Sequence, residues 1–159
     1  MATDFNTTGD DHLGWPGDLA ERKGDPVLTV TQYIDRLVAN DYLKKVDMAG
    51  LMQAPGVPHW NTSLPFDANY CPFKIYRLKE ADGVLTIFCA TRNFSYKRGL
   101  DANQQPYGDR GFIVFRKGGD GVALSKVAAL ELSRIGLLPG RTDFLTRNME
   151  TADDYLLPK

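Results

Sequence analysis

The chain has 159 residues, of which 43% are hydrophobic, 11% aromatic and 25% charged. That length and composition suit one folded domain with room for tails, and they exclude wholesale disorder. Nineteen basic side chains stand against twenty acidic ones, a net charge of −1, so overall charge singles out no class of partner. No run of about 18 apolar residues occurs, so no membrane-spanning helix is expected. The opening Met1-Ala2-Thr3-Asp4-Phe5-Asn6 lacks the basic and apolar regions of a signal peptide, and a cytoplasmic protein is expected.

Charge is unevenly distributed along the chain. Residues 1–25 hold six acids and two bases, whereas residues 74–126 hold five acids and ten bases. An acidic head thus precedes a basic middle, a layout that suits contact with complementary surfaces or between the two parts.

Residues 1–26 carry Gly9, Gly14, Pro16, Gly17, Gly24 and Pro26 and show neither helical nor strand period, which predicts an irregular acidic tail. Thr29 followed three residues later by Gln32 is a capping-box pattern. Val30, Tyr33, Ile34, Leu37 and Val38 then fall on one helical face, so a helix is predicted over 29–47. Pro55, Pro58, Pro65 and Pro72 forbid a long helix or a central strand across 50–72, leaving a loop that carries Trp60, Phe66 and Tyr70.

A hairpin is predicted over 73–94, turning at Ala81-Asp82-Gly83, followed by a polar connection over 95–109 and a third strand within 111–117. Gly118-Gly119-Asp120-Gly121 should end that strand. The Ala- and Leu-rich stretch 122–136 then predicts a buried helix with Gly136 beyond its end. Residues 141–159 read as an extended C-terminal tail. The fold class expected is α+β: one domain over 27–140, a small antiparallel sheet of three strands, and two main helices on one face.

Candidate chemistry is sparse. His12, His59, Cys71 and Cys89 are scattered, without the paired spacing of a zinc site, so no metal and no cofactor are expected. The two cysteines, 18 positions apart, read as reduced thiols. Gly118-Gly119-Asp120-Gly121 matches neither phosphate-binding glycine pattern and reads as loop chemistry. Arg92, Lys97, Arg98, Arg110, Arg116 and Lys117 cluster in a segment that also holds Phe94, Tyr96, Tyr107, Phe112 and Phe115. Bases interleaved with aromatics can hold an anionic ligand or stack on nucleic acid. The run Arg110-Gly111-Phe112-Ile113-Val114-Phe115 resembles the RNP1 element of RNA-recognition motifs. It departs from that element at Ile113 and Val114, so no family assignment follows.

The leading expectation is a non-catalytic binding protein: an accessory subunit, adaptor or inhibitor in a larger protein assembly. Ordering long irregular segments costs about 1–2 kcal/mol per residue. Trp15, Trp60, Phe66, Tyr155 and Leu156 are therefore expected to dock on a protein partner. The alternative is a small enzyme acting on a phosphorylated or nucleic-acid substrate through His59, Arg92, Tyr96 and Arg110. The third reading is a nucleic-acid-binding module using residues 92–117.

Overall fold

A computed structural model describes residues 14–144 and 150–158. Residues 1–13, including His12, and 145–149 lie outside the described set. In chain order the elements are α1 (Pro16–Ala20), α2 (Val30–Ala39), α3 (Lys45–Leu51), β1 (Phe73–Ile75), β2 (Ile87–Thr91), β3 (Phe94–Ser95), β4 (Gly99–Leu100), β5 (Gly111–Arg116), β6 (Gly121–Ser125) and α4 (Leu132–Ile135). Short 3-10 turns span Ala68–Tyr70, Lys126–Leu130 and Ala152–Asp154. The fold is α+β, with an antiparallel sheet in the order β1-β2-β5-β6 and a separate β3–β4 ribbon.

The capping box predicted at Thr29 is present. Gln32 N donates to Thr29 Oγ1 and Thr29 N donates to Gln32 Oε1, each at 3.1 Å. The helix that it starts is shorter than the predicted 29–47. Asn40 Nδ2 donates back to Arg36 O at 2.8 Å, and Asp41 turns left-handed at φ 57°, which breaks the helical path. The chain resumes as α3, which runs through Gly50 to Leu51.

The predicted helix over 122–136 is replaced by β6, a 3-10 turn and the short α4. Gly119, at φ 93°, lets the chain reverse, and Arg116 N donates to Asp120 O at 3.0 Å. Residues 121–125 then lie along β5, with Val114 opposite Val122 and Phe112 opposite Leu124. Intrinsic helix preferences differ by only about 0–0.7 kcal/mol per ordinary residue, so a waiting strand partner decides. The polar connection predicted over 95–109 contains the β3–β4 ribbon, with Phe94 opposite Leu100.

Both faces of the sheet are covered, not one. Alternation sends Ile75 and Cys89 into a core with Trp15, Tyr33, Leu37 and Trp60. Their neighbours Tyr76 and Ala90 enter a second core with Phe94, Phe112, Ile135 and Leu138.

The described parts of the two expected tails differ from that reading by docking on this frame. Gly17 N donates to Leu78 O at 2.7 Å, and a Cβ at Gly17 would lie 2.2 Å from Arg77 O, so only glycine permits the approach. At the other end, Leu156 N donates to Ile75 O and Arg77 N donates to Asp154 O, both at 2.8 Å. These bonds place residues 154–156 along the free edge of β1. Val30 N donates to Leu157 O at 2.8 Å, tying the same segment to the start of α2.

Candidate functional site

A polar cleft of about 630 Å³ opens beside the β3–β4 ribbon. Four features converge on it: Lys74 from β1, Arg92 and Asn93 just after β2, the ribbon with Ser95, Lys97 and Arg98, and the C-terminal segment with Glu150 and Tyr155. Strand alternation explains the first of these. Lys74 lies between Phe73 and Ile75, which point to the opposite face.

Glu150 organises the inner wall. Its carboxylate accepts from Tyr76 Oη at 2.8 Å, Ser95 Oγ at 3.2 Å and Tyr96 N at 3.3 Å, and Lys74 Nζ lies 3.6 Å away. Lys74 also donates to Phe94 O at 3.4 Å and sits 4.6 Å from the Tyr155 ring centroid. Burial lowers the Lys74 pKa, while the Glu150 charge and hydrogen bond act in the opposite direction. Burial, reinforced by Glu150, holds the Tyr76 phenol protonated well above its ordinary range.

Two buried polar atoms on consecutive residues in this region lack partners. Arg92 Nε is buried without an acceptor. Asn93 Nδ2 donates to Gly108 O and Gly111 O, both at 2.7 Å. Both of those atoms are carbonyl oxygens, which fixes the amide orientation and leaves the buried Asn93 Oδ1 as the unmatched acceptor. Among the described residues, the lining carries four cationic side chains (Lys74, Arg92, Lys97, Arg98) against two carboxylates, Asp101 and Glu150. Such a site favours an anion that also offers a hydrogen-bond donor.

The six basic residues singled out in the sequence are divided by the structure. Arg92, Lys97 and Arg98 line the cleft. Arg110 is exposed and does not line it. Arg116 Nε donates to Ile135 O at 2.8 Å, and its other nitrogens reach Arg134 O and Asp120. Lys117 Nζ donates to Glu80 O at 2.6 Å and Asp82 O at 2.7 Å. Arg116 and Lys117 thus brace the β5–β6 turn.

The alternative catalytic set does not assemble. His59 is exposed in the proline-rich loop, and Tyr96 Oη donates to Gly136 O at 3.0 Å in the second core. Among the described residues, no three His, Cys, Asp or Glu side chains converge in a metal-binding cluster.

The five residues expected to dock on a partner are packed within their own chain. Trp15, Trp60, Phe66 and Leu156 are all buried, and Tyr155 is half-buried against Tyr76 and Lys74. Trp60 meets Phe66 edge-on at 5.3 Å. The entropic argument for a partner is corrected accordingly: these segments find their burial on the sheet and the first core.

Sequence reasoning missed Lys74, Asn93 and Glu150. The first had a signal, being the one charged residue inside an apolar strand. Glu150 had none, since 76 positions separate it from Lys74. Comparison with known protein families, curated proteins and solved structures finds no match to this chain.

Proposed function

We propose that this chain is a non-catalytic binding protein whose polar cleft takes a small phosphorylated ligand. The binding role expected from the sequence is kept, but its object changes from a protein to a small anion. The observation that carries this is that two cleft-lining residues, Arg92 and Asn93, each hold a buried polar atom without a partner, Nε and Oδ1, beside a surplus of cationic side chains among the described lining residues. An unmatched buried polar atom costs about 1–3 kcal/mol, which a ligand bearing both acceptor and donor recovers. The phosphate faces Arg92, Lys97 and Arg98, and a neighbouring hydroxyl or amino group meets Asn93 Oδ1.

Calorimetric titration with adenosine monophosphate, inorganic phosphate and adenosine tests the reading. The nucleotide is expected to bind best, and adenosine to lose at least about tenfold, the factor that corresponds to 1.4 kcal/mol. Lys97→Ala and Arg98→Ala should each weaken nucleotide binding about fivefold and flatten its salt dependence. Equal affinity for adenosine and its monophosphate, or no heat from either phosphate probe at low salt, would overturn the assignment.

A second reading, turnover of the bound phosphoryl compound, is supported by Lys74. It is a cleft lysine whose pKa burial lowers, which suits proton transfer. Phosphorus NMR of adenosine monophosphate incubated with the protein separates the two readings: a new inorganic phosphate resonance favours turnover, and its absence alongside binding favours the non-catalytic binding role.

A further inference from the structure

On the face of the sheet opposite Lys74 lies a cavity of about 340 Å³, independent of the polar cleft. Its walls come from α2 (Tyr33 and Leu37), α3 and the residue after it (Met48 and Met52), and the sheet (Phe73 and Phe115). Trp15 closes one side, held there by the Gly17 contact with residues 77–78. Protein interiors are close-packed, and voids beyond the size of a water molecule are few. An apolar cavity of about 150 Å³ already stays dry and admits benzene, and small-molecule sites run to about 300–1,000 Å³. By that scale the cavity has the size of a ligand site.

Its polar content is specific. Tyr33, only 2% exposed, is one of the lining residues, and its buried hydroxyl has no hydrogen-bond partner. Burial, with the nearby Cys89 thiol adding to it, pushes the pKa of that phenol up, so it remains a neutral donor. The cationic groups among the lining residues, Arg116 and Lys117, donate to the backbone carbonyls of Ile135, Glu80 and Asp82, and Lys117 Nζ also lies 5.4 Å from the Trp15 ring centroid. Phe115 at 39% exposure and Leu51 at 56% mark the opening to solvent. The thioethers of Met48 and Met52 adapt to different shapes, and Trp15, Phe73 and Phe115 offer aromatic surface.

We propose that this cavity is a second binding site, for a neutral, largely aromatic small molecule carrying one hydrogen-bond acceptor that meets Tyr33 Oη. The site accepts no net charge and makes one polar contact, so its ligand differs in chemical class from that of the cleft. Cys71 and Cys89 line the same cavity and report on its occupancy through their reactivity toward a disulfide reagent.

The test uses the full chain, with 2-naphthol as probe and naphthalene as its hydroxyl-free counterpart. Calorimetry should show 2-naphthol binding about tenfold more tightly than naphthalene. Tyr33→Phe should abolish that difference while leaving the melting temperature unchanged or higher, because the hydroxyl it removes is unmatched. In the wild-type protein, saturating 2-naphthol should slow thiol modification severalfold, a readout that needs no variant. Equal binding of the two probes to the wild type would overturn the role of Tyr33. No binding by either, with thiol rates unchanged, would overturn the site, as would a concentration-dependent dimer that excludes the probe.

Discussion

The two sides of β1 differ by one residue of register and by almost everything chemical. Phe73 and Ile75 face an apolar cavity whose polar content includes a single unmatched phenol, whereas Lys74 between them faces a cleft with four cations, two carboxylates and an unmatched donor–acceptor pair. Strand periodicity is what makes this possible, because successive side chains leave the sheet in opposite directions. On the apolar side helices supply the wall, and on the polar side a short ribbon and the C-terminal segment do. Both faces of an antiparallel sheet are thereby occupied, although one face of such a sheet is commonly left to water.

The strongest way to break the comparison is through Gly17, which anchors the Trp15 wall of the apolar side. A methyl group there meets Arg77 O at 2.2 Å and Leu78 O at 2.6 Å, both backbone atoms that cannot swing away. Gly17→Ala should cost about 3 kcal/mol, the upper part of the range for overpacking, measured by urea denaturation. It should also weaken 2-naphthol binding by displacing Trp15 while leaving nucleotide binding in the cleft within twofold. Equal losses at both sites would show that the two faces are not independent.

Alkaline pH sharpens the contrast next, because the buried thiols belong to the apolar side. Burial pushes the Cys71 thiol from 9.0 up to about 11, against smaller opposing effects from the Phe73 backbone and from Arg92. The folded state therefore holds this proton more tightly than the unfolded chain. The resulting stability is fully present below pH 9 and is lost as pH rises through 11. Two pH units correspond to about 2.7 kcal/mol. Denaturation midpoints for the wild type should fall across that window, and Cys71→Ala should reduce the slope by roughly that contribution. An identical slope in the variant would remove Cys71 from the account.

How much of this could be read from the sequence follows the range of the interactions. Thr29 and Gln32 announce α2 because the capping box is closed within four residues. Asp82-Gly83 marks the reversal between β1 and β2, and Phe112 with Val114 marks β5, again by local pattern. β6 is not legible locally because Val122-Ala123-Leu124 is compatible with either period, and the choice belongs to β5, which offers it a ladder. The cleft was half legible. Arg92, Lys97 and Arg98 stand close in the chain, but Lys74 and Glu150 meet only through the docking of residues 150–156 on the edge of β1. Trp15 shows the opposite limit: its large apolar ring reads as a partner contact, while the close approach that buries it depends on a glycine two positions later.

Glu150 gives the smallest of these effects and the most discriminating one. Its carboxylate holds together Tyr76, Ser95, Tyr96 and Lys74, yet it adds negative charge to a cleft assigned to anions. Glu150→Gln keeps the shape and one acceptor oxygen but removes the counter-charge from Lys74, whose side chain is only 17% exposed. Breaking a fully buried pair costs about 3–5 kcal/mol, and the openness of the cleft reduces the expected loss to about 2 kcal/mol. Lys74 then lacks the opposing influence of Glu150, so its pKa should drop further, and the variant should regain stability as pH rises toward the ordinary lysine range. At neutral pH the cleft loses one negative charge, so adenosine monophosphate should bind about threefold more tightly even though the protein is less stable. Weaker stability with tighter binding is the signature of a carboxylate kept for architecture in a site built for anions. Weaker nucleotide binding in a folded Glu150→Gln protein would instead place that carboxylate in direct contact with the ligand and reverse the orientation assigned to it.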